Sequence, residues 1–155
     1  MKASLFLCVF LSRTVPLLAQ IHYGIGVGAG AQTFQRGSIS DTKLISAVEL
    51  FGHSRTWGAS LAGERADSHM NIVHGDVLHA VTPYLWVGGG PSYINLDGFK
   101  GQTTWNVESE LVWPLARAEI LVRARYYAFH VEAFRDEAQA RGPAVYGAVR
   151  YSFGR

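Results

Sequence analysis

The stretch "VYGAVRYSF" at 145–153 constrains the fold more than any other part of this chain. If it is extended, Val145, Gly147, Val149, Tyr151 and Phe153 share one face, and Tyr146, Ala148, Arg150 and Ser152 share the other. An apolar and aromatic face that runs almost to the last residue is unusual in a water-soluble domain, whose ends ordinarily fray into solvent. The same two-residue period recurs along the chain, and no sustained 3.6-residue apolar pattern competes with it. The first such segment, "IHYGIGVGAGAQTF" (21–34), sets Ile21, Tyr23, Ile25, Val27 and Ala29 against His22, Gly24, Gly26, Gly28 and Gly30. Further segments fall at 43–51, 56–64, 71–78, 82–95, 103–113 and 118–129, which with the closing stretch makes eight strands. The chain is therefore read as all-β and antiparallel.

The opening "MKASLFLCVFLSRTVPLLAQ" has one Lys, a nine-residue apolar run from Ala3 to Leu11, Pro16, and a small residue at Ala19. That is the layout of a secretory signal peptide. The run is too short for a membrane-spanning helix, which needs about 20 residues. The expected organisation is a cleaved leader at 1–19 followed by a single β domain at 20–155. The one cysteine, Cys8, lies in the leader, so the domain has neither a disulfide framework nor a thiolate metal site. Lys2 and Arg13 also lie in the leader, which leaves twelve basic residues against twelve acidic ones. A neutral domain without a basic patch gives no reason to expect nucleic acid as a partner. The apparent glycine loop "GIGVGAG" sits in a strand pattern with no following helix, so it is strand glycine rather than a nucleotide cradle.

The connections alternate in expected length, short at 52–55, 79–82 and 114–117 and longer and polar at 35–42, 65–70, 96–102 and 130–143. Up-and-down transmembrane barrels alternate in this way. Pairing Phe51 with Thr56 across "GHSR" places Lys43 opposite Glu64. Pairing Trp113 with Ala118 across "PLAR" places Glu108 opposite Arg123. In both hairpins the other face is apolar. Alternation alone does not say which face is inside. Bulky aromatics on the apolar face decide it: Tyr23, Trp57, Trp113, Tyr151 and Phe153 lie toward the short turns, and Trp105 and Tyr126 toward the longer connections. They are placed like two interfacial girdles around a lipid-facing band. The ion pairs Lys43–Glu64 and Glu108–Arg123 then belong to the interior of an eight-stranded antiparallel up-and-down transmembrane β-barrel, which side chains fill without leaving a large pore. The stretch "NIVHGDVLHAVTPYLWVGGGPSYINL" does not settle on one register, and its faces stay open.

The closing "VYGAVRYSF", the glycine-alternating first strand, "TPYLWVGGGPSYINL" and "LVRARYYAF" resemble the small eight-stranded barrels of the bacterial outer membrane protein beta-barrel superfamily. The resemblance covers the whole domain and implies a Gram-negative outer-membrane location, contact with outer-membrane lipid, and a monomer. It also implies a final aromatic residue, here Phe153, that the barrel-assembly machinery reads during insertion; Gly154 and Arg155 after it depart from the pattern. Lipid A deacylases of similar size carry a His followed two places later by Ser. Here His130 is followed by Val131 and Glu132, so the nucleophilic hydroxyl is missing. None of His22, His53, His69, His74, His79 and His130 has metal-ligand spacing. No catalytic, cofactor or metal residue is assigned. "EAFRDEAQAR" (132–141) has some helical character and is expected as an exposed outer loop. The resulting expectation is a non-enzymatic outer-membrane barrel with a structural or surface-interaction role. A lipid A modifying hydrolase and a periplasmic ligand-binding barrel stand as the alternatives.

Overall fold

The computed structural model describes residues 21–36, 39–66, 70–97, 101–133 and 136–153. The expected leader with its cleavage after Ala19, His69, and the terminal Gly154 and Arg155 lie outside them. Eight strands follow one another: β1 (His22–Arg36), β2 (Ile39–His53), β3 (Trp57–Ala66), β4 (Met70–Ala80), β5 (Leu85–Leu96), β6 (Gln102–Leu115), β7 (Ala118–Ala133) and β8 (Asp136–Ser152). Each pairs antiparallel with the next, and β1 closes on β8 with Val27 opposite Val149. The barrel is closed, so none of the eight described strands is an edge strand. Burial alternates strictly along β3, as the two-residue period requires when the two faces of a strand meet different surroundings.

One rim carries the β2–β3, β4–β5 and β6–β7 connections together with both ends of the described chain, and is called the turn rim here. The opposite rim carries the other four connections and is called the hairpin rim. Two of the four longer polar stretches expected as loops on that rim, 35–42 and 130–143, are largely strand. β1 and β2 continue to Arg36 and Ile39, and β7 and β8 to Ala133 and Asp136. Continuing the ladder pairs backbone groups that a loop would have to satisfy some other way. The stretch 132–141, read as an exposed loop with helical character, is accordingly part of the β7–β8 hairpin: Glu132 faces Glu137, and Ala133 faces Asp136.

Both hairpins used to set register turn later than expected. The β6–β7 turn holds only Ala116 and Arg117, with Ala116 at φ 45°, so Leu115 pairs with Ala118 and Pro114 is drawn into the strand opposite Glu119. At β2–β3, Ser54 organises the turn: its backbone N–H donates to the Trp57 carbonyl at 2.7 Å and its hydroxyl accepts the Trp57 N–H at 3.2 Å. His53 therefore pairs with Gly58, and Glu64 lies opposite Ala47. β5 begins at Leu85 rather than at 82, because the Thr82 hydroxyl accepts the N–H of Tyr84 and of Leu85 at 3.2 and 2.9 Å and holds a bend.

A barrel of eight strands brings backbones close, and two glycines permit it. A Cβ at Gly30 in β1 would run into the Cβ of Tyr146 and the carbonyl oxygen of Val145. Gly89 in β5 has φ +155°, and a Cβ there would meet the Asn106 carbonyl oxygen.

Candidate functional site: the filled interior and the apolar outer wall

Every second residue of each strand points inward, and the inward side chains are layered. Near the turn rim lie Phe51, Leu78, Trp86, Val112 and Leu121; near the hairpin rim lie Ile45, Ala66, Met70, Ile72 and Ile94; all are buried. Between these apolar ends sit three arginines and five carboxylates, Arg123, Arg125, Arg150, Glu49, Glu64, Asp76, Glu108 and Glu110, every one of them buried.

These charges form two connected groups. Toward the turn rim, Arg150 donates from Nε to Glu49 at 2.7 Å and from both terminal nitrogens to Glu110 at 2.8 Å. Arg123 donates to Glu110 and to Glu49, each at 2.6 Å, and its guanidinium lies 5.2 Å from the centre of the Tyr146 ring. Toward the hairpin rim, Arg125 donates from Nε to Glu108 at 2.8 Å, to Tyr127 Oη at 3.0 Å and to Asp76 at 3.3 Å, and also pairs with Glu64. Tyr127 in turn donates to Glu64 at 2.9 Å. His74 stands between Asp76 and Glu64, its Nε2 3.1 Å from Glu64, and Asn106 donates to Asp76 and Ser92, each at 2.8 Å. Most of these bonds join strands that are not neighbours, so they cross the lumen and fill it. Forked arginine donors suit this task because each can bind two carboxylates in fixed geometry.

The expected pairs are re-sorted. The register puts Glu108 opposite Arg125, and Arg123 opposite Glu110; Arg123 Nε still lies 3.7 Å from Glu108. The Lys43–Glu64 pair is not formed. Lys43 sits at the hairpin rim and bridges Asp41 at 3.2 Å with both side chains partly in solvent, while Glu64 belongs to Arg125. The late turn at Ser54 is the cause, since it shifts every β3 partner by four residues. Glu110, Asp76 and Tyr127 are not singled out from sequence, and His74 and Tyr146 are named there without their interior partners. Glu110 and Tyr127 share parity with Glu108, Arg123 and Arg125 on β6 and β7, and that parity was the available signal.

The outward residues are a different population. Tyr23, Trp57, Trp105, Trp113, Tyr126, Tyr151 and Phe153 are all exposed, and so are Ile25, Val27, Val48, Leu50, Leu61, Val73, Val77, Val107, Leu111, Ile120, Val122 and Val149. β4 and β5 follow the same scheme. Val73, Val77, Val87 and Tyr93 point out, while Ile72, His74, Asp76, Leu78, Trp86, Ser92 and Ile94 point in. Their register resisted reading because apolar and charged residues share their inner face.

At the turn rim His53 Nε2 lies 2.9 Å from Glu119, bridging β2 to β7, with the Trp86 ring edge-on to His53 at 5.5 Å. A cavity of about 20 Å³ beside them is lined by Phe51, Trp86, Glu110, Glu119 and Arg150, which is room for about one water. Among the described residues no group of three or more His, Cys, Asp or Glu is placed to hold a metal ion. His130 pairs with Gln139 in the β7–β8 ladder, and its side chain lies outside the described ones.

No family model matches the sequence, and no curated protein matches it. Solved structures do. Neisserial surface protein A superposes with a TM-score of 0.69 at 10% identity, over 84% of this chain and 97% of its own. Ail, the attachment invasion locus protein of Yersinia pestis, solved in complex with the heparin analogue sucrose octasulfate, superposes with a TM-score of 0.52 at 11% identity, over 86% of this chain and 99% of its own. At such identities the likeness is one of fold: the chain has the architecture of the small eight-stranded outer-membrane β-barrels.

Proposed function

We propose that this chain is an integral protein of the bacterial outer membrane, exported through a cleaved signal peptide and inserted by the barrel-assembly machinery. It acts there as a non-enzymatic, monomeric barrel with a structural or surface-interaction role and no diffusion pore. The observation that carries the reading is the inversion of the two faces: an apolar outer wall around an interior filled with buried ion pairs. A bilayer core rewards apolar side chains facing outward and leaves no backbone group unpaired in a closed barrel. The aromatic residues at the two rims sit where headgroups meet hydrocarbon. A ligand-binding barrel in the periplasm needs an apolar interior, and this interior is ionic in its middle. A hydrolase needs a hydroxyl next to His130, where Val131 and Glu132 stand. Ail is described as an attachment protein with a bound heparin analogue, which supports surface interaction as a class of role without supplying a ligand for this chain. In this reading the hairpin rim faces outward from the cell, because the longer connecting stretches, carried as paired strands in β1–β2 and β7–β8, lie on that side, as the longer extracellular connections of such barrels do.

Membrane fractionation together with gel migration tests this. The protein should co-sediment with outer membranes, and its migration in detergent gels should shift on heating. Planar bilayers containing it should show no stable large conductance. Recovery in the soluble periplasmic fraction, or reproducible nanosiemens steps, contradicts the proposal.

A further inference from the structure

The outer wall of β2, β3 and β4 is not smooth. Val48, Gly63 and Val73 are cross-strand partners in one row, with Leu50 and Leu61 paired in the row toward the turn rim. Because Gly63 has no side chain, its neighbours border a shallow, open depression of about 350 Å³ on the outer wall, lined by Ile25, Val48, Leu50, Leu61, Gly63 and Val73, with Glu49 and Ala62 beneath. A Cβ built at Gly63 meets nothing within 4 Å, so the depression is not imposed by crowding.

The next row toward the hairpin rim changes chemistry at once. Ser46, Arg65, Asn71 and Asn95 are successive partners across β2 to β5, and all four point outward and are exposed. Adjacent strands lie about 4.8 Å apart, so this polar row is roughly 14 Å wide. A cation flanked by hydroxyl and amide groups stands directly above an apolar depression. That order matches an amphiphile whose anionic head is at the rim and whose chain points toward the membrane centre.

We propose that this surface is a binding site for a phosphorylated glycolipid of the outer leaflet, lipid A in chemical class. One acyl chain lies in the Gly63 depression, a phosphate sits on Arg65, and sugar or ester oxygens bond to Ser46, Asn71 and Asn95. The guanidinium fork suits phosphate. The width of the polar row suits a disaccharide head better than a single phosphodiester. The inference rests on the membrane reading above and on its orientation.

The test is native mass spectrometry of the purified barrel in micelles, with added lipid A, dephosphorylated lipid A or phosphatidylglycerol, alongside insertion into phospholipid vesicles. The parent should carry one lipid A per barrel. Arg65→Gln should weaken lipid A binding about tenfold, the order of one charge-assisted hydrogen bond, and leave the dephosphorylated form unchanged. Gly63→Leu, which fills the depression, should weaken both forms. Lipid A binding unaltered in both variants overturns the site. Phosphatidylglycerol binding equally well, with the same response to both substitutions, overturns the choice of lipid. A chain that does not enter vesicles at all refutes the membrane reading instead, so the two failures are told apart.

Discussion

Along β7, Ile120, Val122 and Tyr126 point outward and Leu121, Arg123, Arg125 and Tyr127 inward, so the two faces of one strand can be compared residue by residue. On the outer face each side chain is judged singly by its medium, and almost any bulky apolar residue satisfies it. On the inner face each side chain is judged by its partners. Arg125 is tolerable there only because Glu64, Asp76 and Glu108 meet it, and those three come from β3, β4 and β6. The outer wall is therefore tolerant and local, while the interior is specific and non-local.

Substitutions on the two faces should differ accordingly. Arg125→Met should be the most damaging, because it strands three carboxylates in a water-poor lumen; loss of one partner of a buried pair typically costs ~3–5 kcal/mol. Adding Glu108→Gln should recover part of that loss, and denaturant unfolding of the single and double variants measures the coupling. If the two losses simply add, the pair does not interact. Next comes Val122→Arg on the outer wall, where a charge near the membrane midplane costs ~2–4 kcal/mol. The same change at Tyr151, beside the turn rim, should cost clearly less, and vesicle refolding yields compare them. Gly30→Ala follows at ~1–3 kcal/mol from overpacking against β8, read as a lower unfolding midpoint. Lys43→Ala should be nearly silent, within about 0.5 kcal/mol, because its pair with Asp41 is half in water. A large loss there would mean that the rim is as dry as the middle.

The same contrast explains what could be read from the sequence. Eight strands, and the inner and outer faces of all but β4 and β5, follow from a two-residue period that each segment carries by itself. Partners do not, because they depend on where each turn closes. At β2–β3 the Ser54 turn shifts pairing by four residues, and at β6–β7 the Ala116–Arg117 turn shifts it by two. Both shifts are even, and only an odd slip exchanges the faces. Trp57, Trp105 and Trp113 thus point outward as the alternation implied, while Glu64 and Glu108 acquired different partners. β4 and β5 were unreadable for a second reason. Ile72, Leu78, Trp86 and Ile94 belong to the apolar ends of the interior, so apolar and polar residues there do not mark opposite faces. The ladder that carries β7 and β8 to Ala133 and Asp136 was hidden because its residues look like a solvated loop.

The four tryptophans offer the most direct test of the inverted barrel. Trp57, Trp105 and Trp113 lie on the outer wall at 57%, 73% and 46% exposure, whereas Trp86 is inside at 8%. Single-tryptophan variants refolded into vesicles of brominated phosphatidylcholine report contact with acyl chains through fluorescence quenching. Strong quenching of Trp57, Trp105 and Trp113, with Trp86 nearly unquenched, is the predicted result. Trp86 quenched as strongly as the other three, or none of the four quenched, would contradict it.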